Sequence, residues 1–406
     1  MLASLAWRNL WRQKTRTIIS MISMGFASLL LVFMLSLQIG SYDTMKTGTL
    51  RLQDGFAQVQ PPGYADDPDI SNLIEDPAPI IAELKAVEGI AEAAPRAGTF
   101  VILANGETSY GAAVLGIAPE SEVNVSTLGA ALGQGRYLEP GDTDAIYLGE
   151  TLARNLGLAV GDRVSLLGSG ADRSVAADSL EIVGLFRTGV PQIDRQLAQM
   201  PLDRFQETFA LQGEVNVIAL SGKRLADVNR ALPELRRIAA AHGLVVRDWA
   251  ELQPALKQAI ALDVSTSAAI YLSLVAVVTF IILNTLYMSV LERTREFGIL
   301  LALGMKPGAI GRMMWLELIL LAALGCASGV ALGAPLVLWF QQHGIPVPGM
   351  ENIMAQFGLP SRIYPSLDPI SASAGPLAIL ASVALGGLVP CLRIRRLHPV
   401  SAMRAA

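Results

Sequence analysis

The sequence predicts a membrane α-helical protein with four transmembrane helices and one large extracytoplasmic α+β domain. Three observations carry this reading. Asp, Glu, Lys and Arg are missing from residues 17–42, 264–291, 318–350 and 369–392, and each run is longer than the roughly 20 residues that cross about 30 Å of hydrocarbon. The intervening segment 43–263 carries 30 acidic and 18 basic side chains, although only 16% of the whole chain is charged, so that segment has the composition of a folded, solvated domain. Positive charge collects beside the membrane, at Arg8, Arg12, Lys14 and Arg16 ahead of the first run and at Arg393, Arg395, Arg396 and Arg404 after the last. By the positive-inside rule both termini are cytoplasmic, and the even number of spans puts 43–263 on the far side.

Residues 1–16 place Arg8, Arg12 and Arg16 four apart, with Trp7 and Trp11 on another face. That pattern predicts a cytoplasmic interfacial helix, because paired indoles suit the headgroup layer. The first span, 17–42, is an uncharged run of 26 residues with no A-x-A site after it, so it is read as a retained helix and not a cleaved leader. Only glycines interrupt the helical pattern from Ile18 to Gln53, and the helix is expected to continue outward past the membrane. A similar run from Ala250 leads into the second span, 264–291.

The 43–263 domain alternates β-rich runs (100–103, 112–117, 163–167, 180–186 and 215–220) with amphipathic helical stretches, an α+β pattern. Within it, 214–220, 225–241 and 244–246 read as a β-α-β unit, with His242-Gly243 as a helix stop and Pro233 expected to kink or restart the helix. Pro61 to Asp69 is a turn-rich acidic loop. Cys326 and Cys391 both fall in spans, so the domain is held by its core and not by a disulfide. After the second span come a cytoplasmic connection (292–308), the third span (312–340), a short external loop (341–368), the fourth span (369–392) and a cytoplasmic tail (393–406).

Catalytic chemistry has no foothold. The three histidines, His242, His343 and His398, are far apart, which leaves no metal-ligand spacing or Ser-His-Asp arrangement. Gly222-Lys223-Arg224 lacks the first glycine and the hydroxyl of a phosphate-binding loop. Catalytic, cofactor-binding and metal-binding residues are therefore expected to be none. Acidic pairs such as Asp66-Asp67 and Asp142 with Asp144 read as solvated surface. Glu317, five residues after Arg312, is either an exposed acid at a helix start or half of a buried pair.

Two positive features remain. Gly325, Gly329 and Gly333 recur at every fourth residue of the third span, a ridge of small residues for close helix packing. The 292–308 connection puts charges first (Glu292, Arg293, Arg295, Glu296) and an apolar helix after (Phe297, Leu300, Leu301). Glu292 can pair with Arg295, or Glu296 with Arg293, and Gly304 to Gly308 form a break that includes Lys306.

The run from Glu292 to Pro307, E-R-T-R-E-F-G-I-L-L-A-L-G-M-K-P, resembles the connection found in the FtsX-like permease family, the membrane subunits of ABC systems of the MacB and lipoprotein-releasing kind. Trp7-Arg8-Asn9-Leu10, the stretch from Leu148-Gly149-Glu150 to Val160-Gly161-Asp162, and Arg396-Leu397-His398-Pro399 onward are similar to that family's recurrent segments. The resemblance implies a MacB-like periplasmic core domain in 43–263. It also implies a coupling helix, at Glu292, Arg293, Arg295, Glu296, Phe297, Leu300, Gly304 and Lys306, seated on a separate ATPase dimer that binds the ATP and magnesium. A second permease copy or paralogue, periplasmic or lipoprotein partners, a bacterial inner-membrane location and no nucleic acid follow from the same likeness. The implied function is mechanotransmission that extracts or exports a lipoprotein-like envelope substrate; the alternatives are FtsX-type activation of a cell-wall hydrolase and MacB-type efflux. Lys306 departs from the family, which commonly has a capping Ser or Thr there, and the ATPase is expected to be a separate chain, unlike the fused MacB type.

The charge distribution sets a topology test. Reporter fusions after Arg16, near Gly308 and at Ala406 will read cytoplasmic, and fusions near Gly170 and Gln356 external; a cytoplasmic signal at Gly170 overturns the reading.

Overall fold

The computed structural model describes residues 2–346 and 362–394. The chain divides into a helical unit, comprising the residues up to Tyr42, Ala259–Pro346 and those from Arg362 on, and a sheet unit built on Asp43–Gln258. Each of the four uncharged runs lies mainly or wholly within one long apolar helix: Lys14–Leu52, Pro254–Glu292, Pro307–His343 and Pro369–Ile394. The first of these has 39 residues, about 58 Å at 1.5 Å per residue. It ends where Gly55, at φ +80°, returns its N–H to the Leu50 carbonyl at 2.8 Å, a left-handed glycine closing a helix C-terminus.

Inside the helical unit, small residues set the packing. A Cβ added at Gly329 would lie 2.5 Å from the Ser28 Cβ on the first spanning helix, and one at Gly325 would lie 2.6 Å from the Met24 Cβ. Ser28 Oγ donates to the Cys326 carbonyl at 3.1 Å across the same crossing. The glycine ridge therefore receives the first span of its own chain, with backbone as close as side-chain-bearing residues would forbid. The third and fourth spans are joined by Trp315 Nε1 donating to the Ala384 carbonyl at 2.9 Å. Gln38, Tyr42, Asp263 and Tyr271 form one polar cluster between the first and second spans: the Tyr42 hydroxyl donates to Asp263 at 2.5 Å and the Tyr271 hydroxyl to Gln38 at 3.0 Å.

The sheet unit has ten strands, β1 (Ala57–Gln60), β2 (Glu92–Asn105), β3 (Thr108–Ile117), β4 (Leu132–Gly135), β5 (Ala145–Gly149), β6 (Arg163–Ser169), β7 (Val175–Phe186), β8 (Leu197–Pro201), β9 (Val217–Ser221) and β10 (Val245–Asp248). Two cores share them. In the first, β10-β1-β9-β2 run mutually antiparallel, with helices Pro77–Lys85 and Leu225–Ala241 supplying Ile80, Leu84, Val228, Leu235 and Ile238 to the buried cluster. This is a pair of split β-α-β units in ferredoxin-like order. The predicted β-α-β is one of them, with β1 inserted between its strands. Leu225–Ala241 is one uninterrupted helix with Pro233 inside it, so the expected restart at Pro233 does not occur.

The second core is an insertion between β2 and β9. Strands β2, β3, β8, β5, β7 and β6 pair in sequence, and β6 returns to β2, closing a ring around Leu103, Val114, Leu148, Leu166, Leu180 and Met200. Closure removes the exposed edges that an open sheet of this length would carry. Strand β2 belongs to both cores: Glu92–Arg96 pair with β9, and Ile102–Ala104 pair with β6.

Asp178 on β7 is braced by Arg204 in two hydrogen bonds, at 2.8 and 2.9 Å, and by Thr208 at 2.7 Å. Burial pushes its carboxyl up, but Arg204 and Thr208 outweigh that and hold it below the usual carboxylate value. Its stabilising contribution is therefore present above the unfolded value of about 3.9 and is lost as pH falls through the lower folded value. Asp178→Asn should cost about 1–3 kcal/mol at pH 7, with the gap to wild type closing in acid; denaturant melts of the full chain at pH 7 and pH 3 that show one constant gap would refute this. The glycine ridge gives a second contrast, because a Cβ at Gly333 would meet its nearest atom, Leu29 Cα, at an ordinary 3.5 Å. Gly333→Ala should leave the melting temperature of the detergent-solubilised chain nearly unchanged, whereas Gly329→Ala should cost about 1–3 kcal/mol; equal melting temperatures would discount the crossing.

Candidate coupling site

The connection between the second and third spans is a helix-break-helix-break sequence with a physical cause at each joint. The second spanning helix stops at Glu292, Arg293 leaves helical geometry (φ −101°, ψ 10°), and a short helix runs Thr294–Ala302 with Glu296 in its first turn, where an acid suits the positive end of the helix dipole. Its end is closed by Gly304 at φ +90°, with Met305 N–H bonded to the Leu300 carbonyl at 3.0 Å and Gly304 N–H to Leu301 at 3.1 Å. This is a Schellman cap. Lys306 then takes extended geometry ahead of Pro307, the first residue of the next helix, as a residue before proline prefers.

Apolar side chains seat the short helix. Phe297 is fully buried in the core of the helical unit, and Leu300, Leu301 and Met305 pack against that core. The opposite side is left bare: Ile299 is 52% and Leu303 79% exposed.

Three arginines and three glutamates surround the seat. Arg12 pairs with Glu296 at 2.9 Å and Arg16 with Glu292 at 3.1 Å. Arg16 also donates to the Thr285 carbonyl. Arg293 bridges Glu296 at 3.2 Å and Glu317 at 3.4 Å, and its guanidinium lies over the Phe297 ring at 5.5 Å. The Arg12 pair is open to solvent and worth at most about 1 kcal/mol. Arg293 and Glu317 are only 11% and 17% exposed, so loss of either partner would strand a half-buried charge.

Each residue expected at this site can be located. Glu292 pairs with Arg16, Arg293 and Glu296 with each other, Arg295 lies in the short helix, Phe297 and Leu300 face the core, and Gly304 and Lys306 form the break. Of the two alternatives for Glu317, the structure bears out the buried pair: its partner is Arg293, while the Arg312 side chain donates to the Gly308 carbonyl. Sequence reasoning missed Arg12 and Arg16 as partners of the connection, since both read as topology signals and as the charged face of an interfacial helix. The available signal was the three glutamates, Glu292, Glu296 and Glu317, in a region otherwise flanked by arginine. Arg393 lies at the end of the fourth helix, and the tail from residue 395 lies outside the described residues.

Comparison with known proteins agrees with the layout. The model of the MacB-like periplasmic core domain matches residues 17–238, and that of the FtsX-like permease C-terminal matches 268–399. The lipoprotein-releasing system transmembrane protein LolC of Neisseria meningitidis is 28% identical over 338 residues, covering 78% of this chain and 79% of that protein. The macrolide export ATP-binding/permease protein MacB of Hyphomonas neptunium is 26% identical over 408 residues, 91% of this chain and 60% of its own length. The crystallised periplasmic region of MacB from Actinobacillus actinomycetemcomitans matches at 14% identity with a TM-score of 0.35, over 50% of this chain and 94% of that one. By the two family models, the chain belongs to the FtsX-like permeases, the membrane components of ABC transporters that carry a MacB-like periplasmic core domain.

Proposed function

We propose that this permease converts ATP hydrolysis by a separate ATPase dimer into movement of its sheet unit, and that the movement extracts a lipoprotein-like substrate from the membrane. The observation that carries the reading is the connection at 292–308. It is seated by Phe297 and by ion pairs to the first and third spanning helices, and it leaves Ile299 and Leu303 bare. An exposed apolar knob on a braced short helix is suited to insertion into a groove on a partner, the arrangement that places binding energy in a few anchors.

The substrate class rests on the lipoprotein-releasing name of the Neisseria relative. Efflux is the second reading, favoured by the longer alignment to a macrolide exporter. In either case a second permease copy or paralogue completes the machine. The chain lies in the bacterial cytoplasmic membrane with both termini inside, which supplies the ATPase side with the basic ends of the spans.

Leu303→Asp puts a charge on the bare tip and touches no packed residue. In a complex co-expressed with a partner ABC ATPase, it should lower co-purification or permease-stimulated ATP hydrolysis at least tenfold, with membrane insertion unchanged. Unaltered co-purification and hydrolysis would remove the docking role from this segment.

A further inference from the structure

The last turn of a helix leaves carbonyls without partners inside the helix. At the end of the first spanning helix these carbonyls are claimed by distant parts of the sheet unit. The Arg51 carbonyl accepts from Thr127 N–H at 2.7 Å and from its hydroxyl at 3.2 Å. The Leu52 carbonyl accepts from Ser126 Oγ at 2.9 Å, and the carbonyl of Gln53, one residue on, accepts from the Arg96 guanidinium. The 124–127 segment is itself fixed to the sheet, since Ser221 Oγ donates to the Asn124 carbonyl at 2.8 Å and Val125 packs with Ala94 and Ala219.

Arg96 stands on β2 at the last residue paired with β9. Its side chain is 5% exposed and that of Glu122 1% exposed; two hydrogen bonds of 2.9 and 2.7 Å join them. A guanidinium so placed satisfies the negative end of the helix, and the carboxylate balances its charge. Asp54, the next residue along, accepts from Gln253 Nε2 at 2.6 Å, and Gln253 immediately precedes the second spanning helix. The Lys46 ammonium over the Trp249 ring, at 4.7 Å, adds a further tie between the same two segments.

We infer that Arg96, Glu122, Asp54 and Gln253 are positioning residues for the transport cycle: they form the joint through which displacement of the first and second spans reaches the sheet unit. The inference rests on the mechanical reading of the protein and assigns the transmission to specific atoms. A helix end capped by water can slip or rotate without moving its neighbours. One whose following carbonyl is bonded by a guanidinium that is itself fixed in a buried pair cannot do so without breaking a charge-assisted bond in a low-dielectric site.

The test uses the full chain reconstituted with its ATPase, and reads hydrogen–deuterium exchange over residues 57–248 with and without ATP and vanadate, alongside ATP hydrolysis. Arg96→Met combined with Glu122→Leu replaces the pair by apolar side chains, an exchange that often preserves stability. Asp54→Ala and Gln253→Ala remove the second tie and carry the test if the double variant fails to fold. In each, the ATP-dependent change in exchange should fall at least fivefold while hydrolysis stays within twofold of wild type. Asp54→Asn keeps an acceptor for Gln253 and should behave as wild type. An undiminished ATP-dependent change in the variants overturns the joint while leaving the mechanical reading intact. No ATP-dependent change in wild type overturns both.

Discussion

The buried pair of Arg96 and Glu122 is the constraint that orders the junction between the two cores of the sheet unit and the helix end they hold. Removing two such charges from water costs several kcal/mol per ion, and an isolated guanidinium would not stay buried on those terms. Here it has the carboxylate on one side and the Gln53 carbonyl on the other. Because β2 is common to the ferredoxin-like core and the closed ring, fixing Arg96 fixes where both cores stand with respect to the helix end they hold.

Within the helical unit the forces are of a different kind. Apolar surface gains little by leaving lipid for another helix, so close backbone approach and interhelical hydrogen bonds must hold the spans together. The chain provides both, at Gly25, Ser28, Gly325 and Gly329 and at Trp315 with Ala384. The polar cluster of Gln38, Tyr42, Asp263 and Tyr271 adds bonds between the first two spans near their apolar limit. At the connection, the pairs grade from the open Arg12–Glu296 to the half-buried Arg293–Glu317. The short helix is braced most firmly on the side that faces its own unit, leaving the bare side for contact.

The strands that were legible were runs rich in Val, Ile and Leu, at 100–103, 112–117, 163–167, 180–186, 215–220 and 244–246. Those that escaped had physical reasons to do so. Strand β5 is buried along its whole length, so it shows no alternation. Strand β8 ends in a proline, and the first half of β2 reads Glu-Ala-Ala-Pro-Arg, which has little strand propensity of its own. Its pairing is decided by β9, more than a hundred positions along the chain.

By itself the sequence determined the four long apolar runs, the presence of a large charged domain between the first two, the family and the charged-then-apolar character of the connection. These follow from composition and local order, because a helix that crosses hydrocarbon needs a long uncharged run, and the break at Gly304 to Pro307 is written in its glycine and proline. Tertiary structure alone decided which charges meet beyond one helical turn. Arg16 with Glu292, Arg293 with Glu317, and Arg96 with Glu122 are separated by 276, 24 and 26 positions, and no local pattern distinguishes them from solvated residues. The glycine ridge could be read as a packing surface, but that its occupant is the first span of the same chain depended on how the helices crossed.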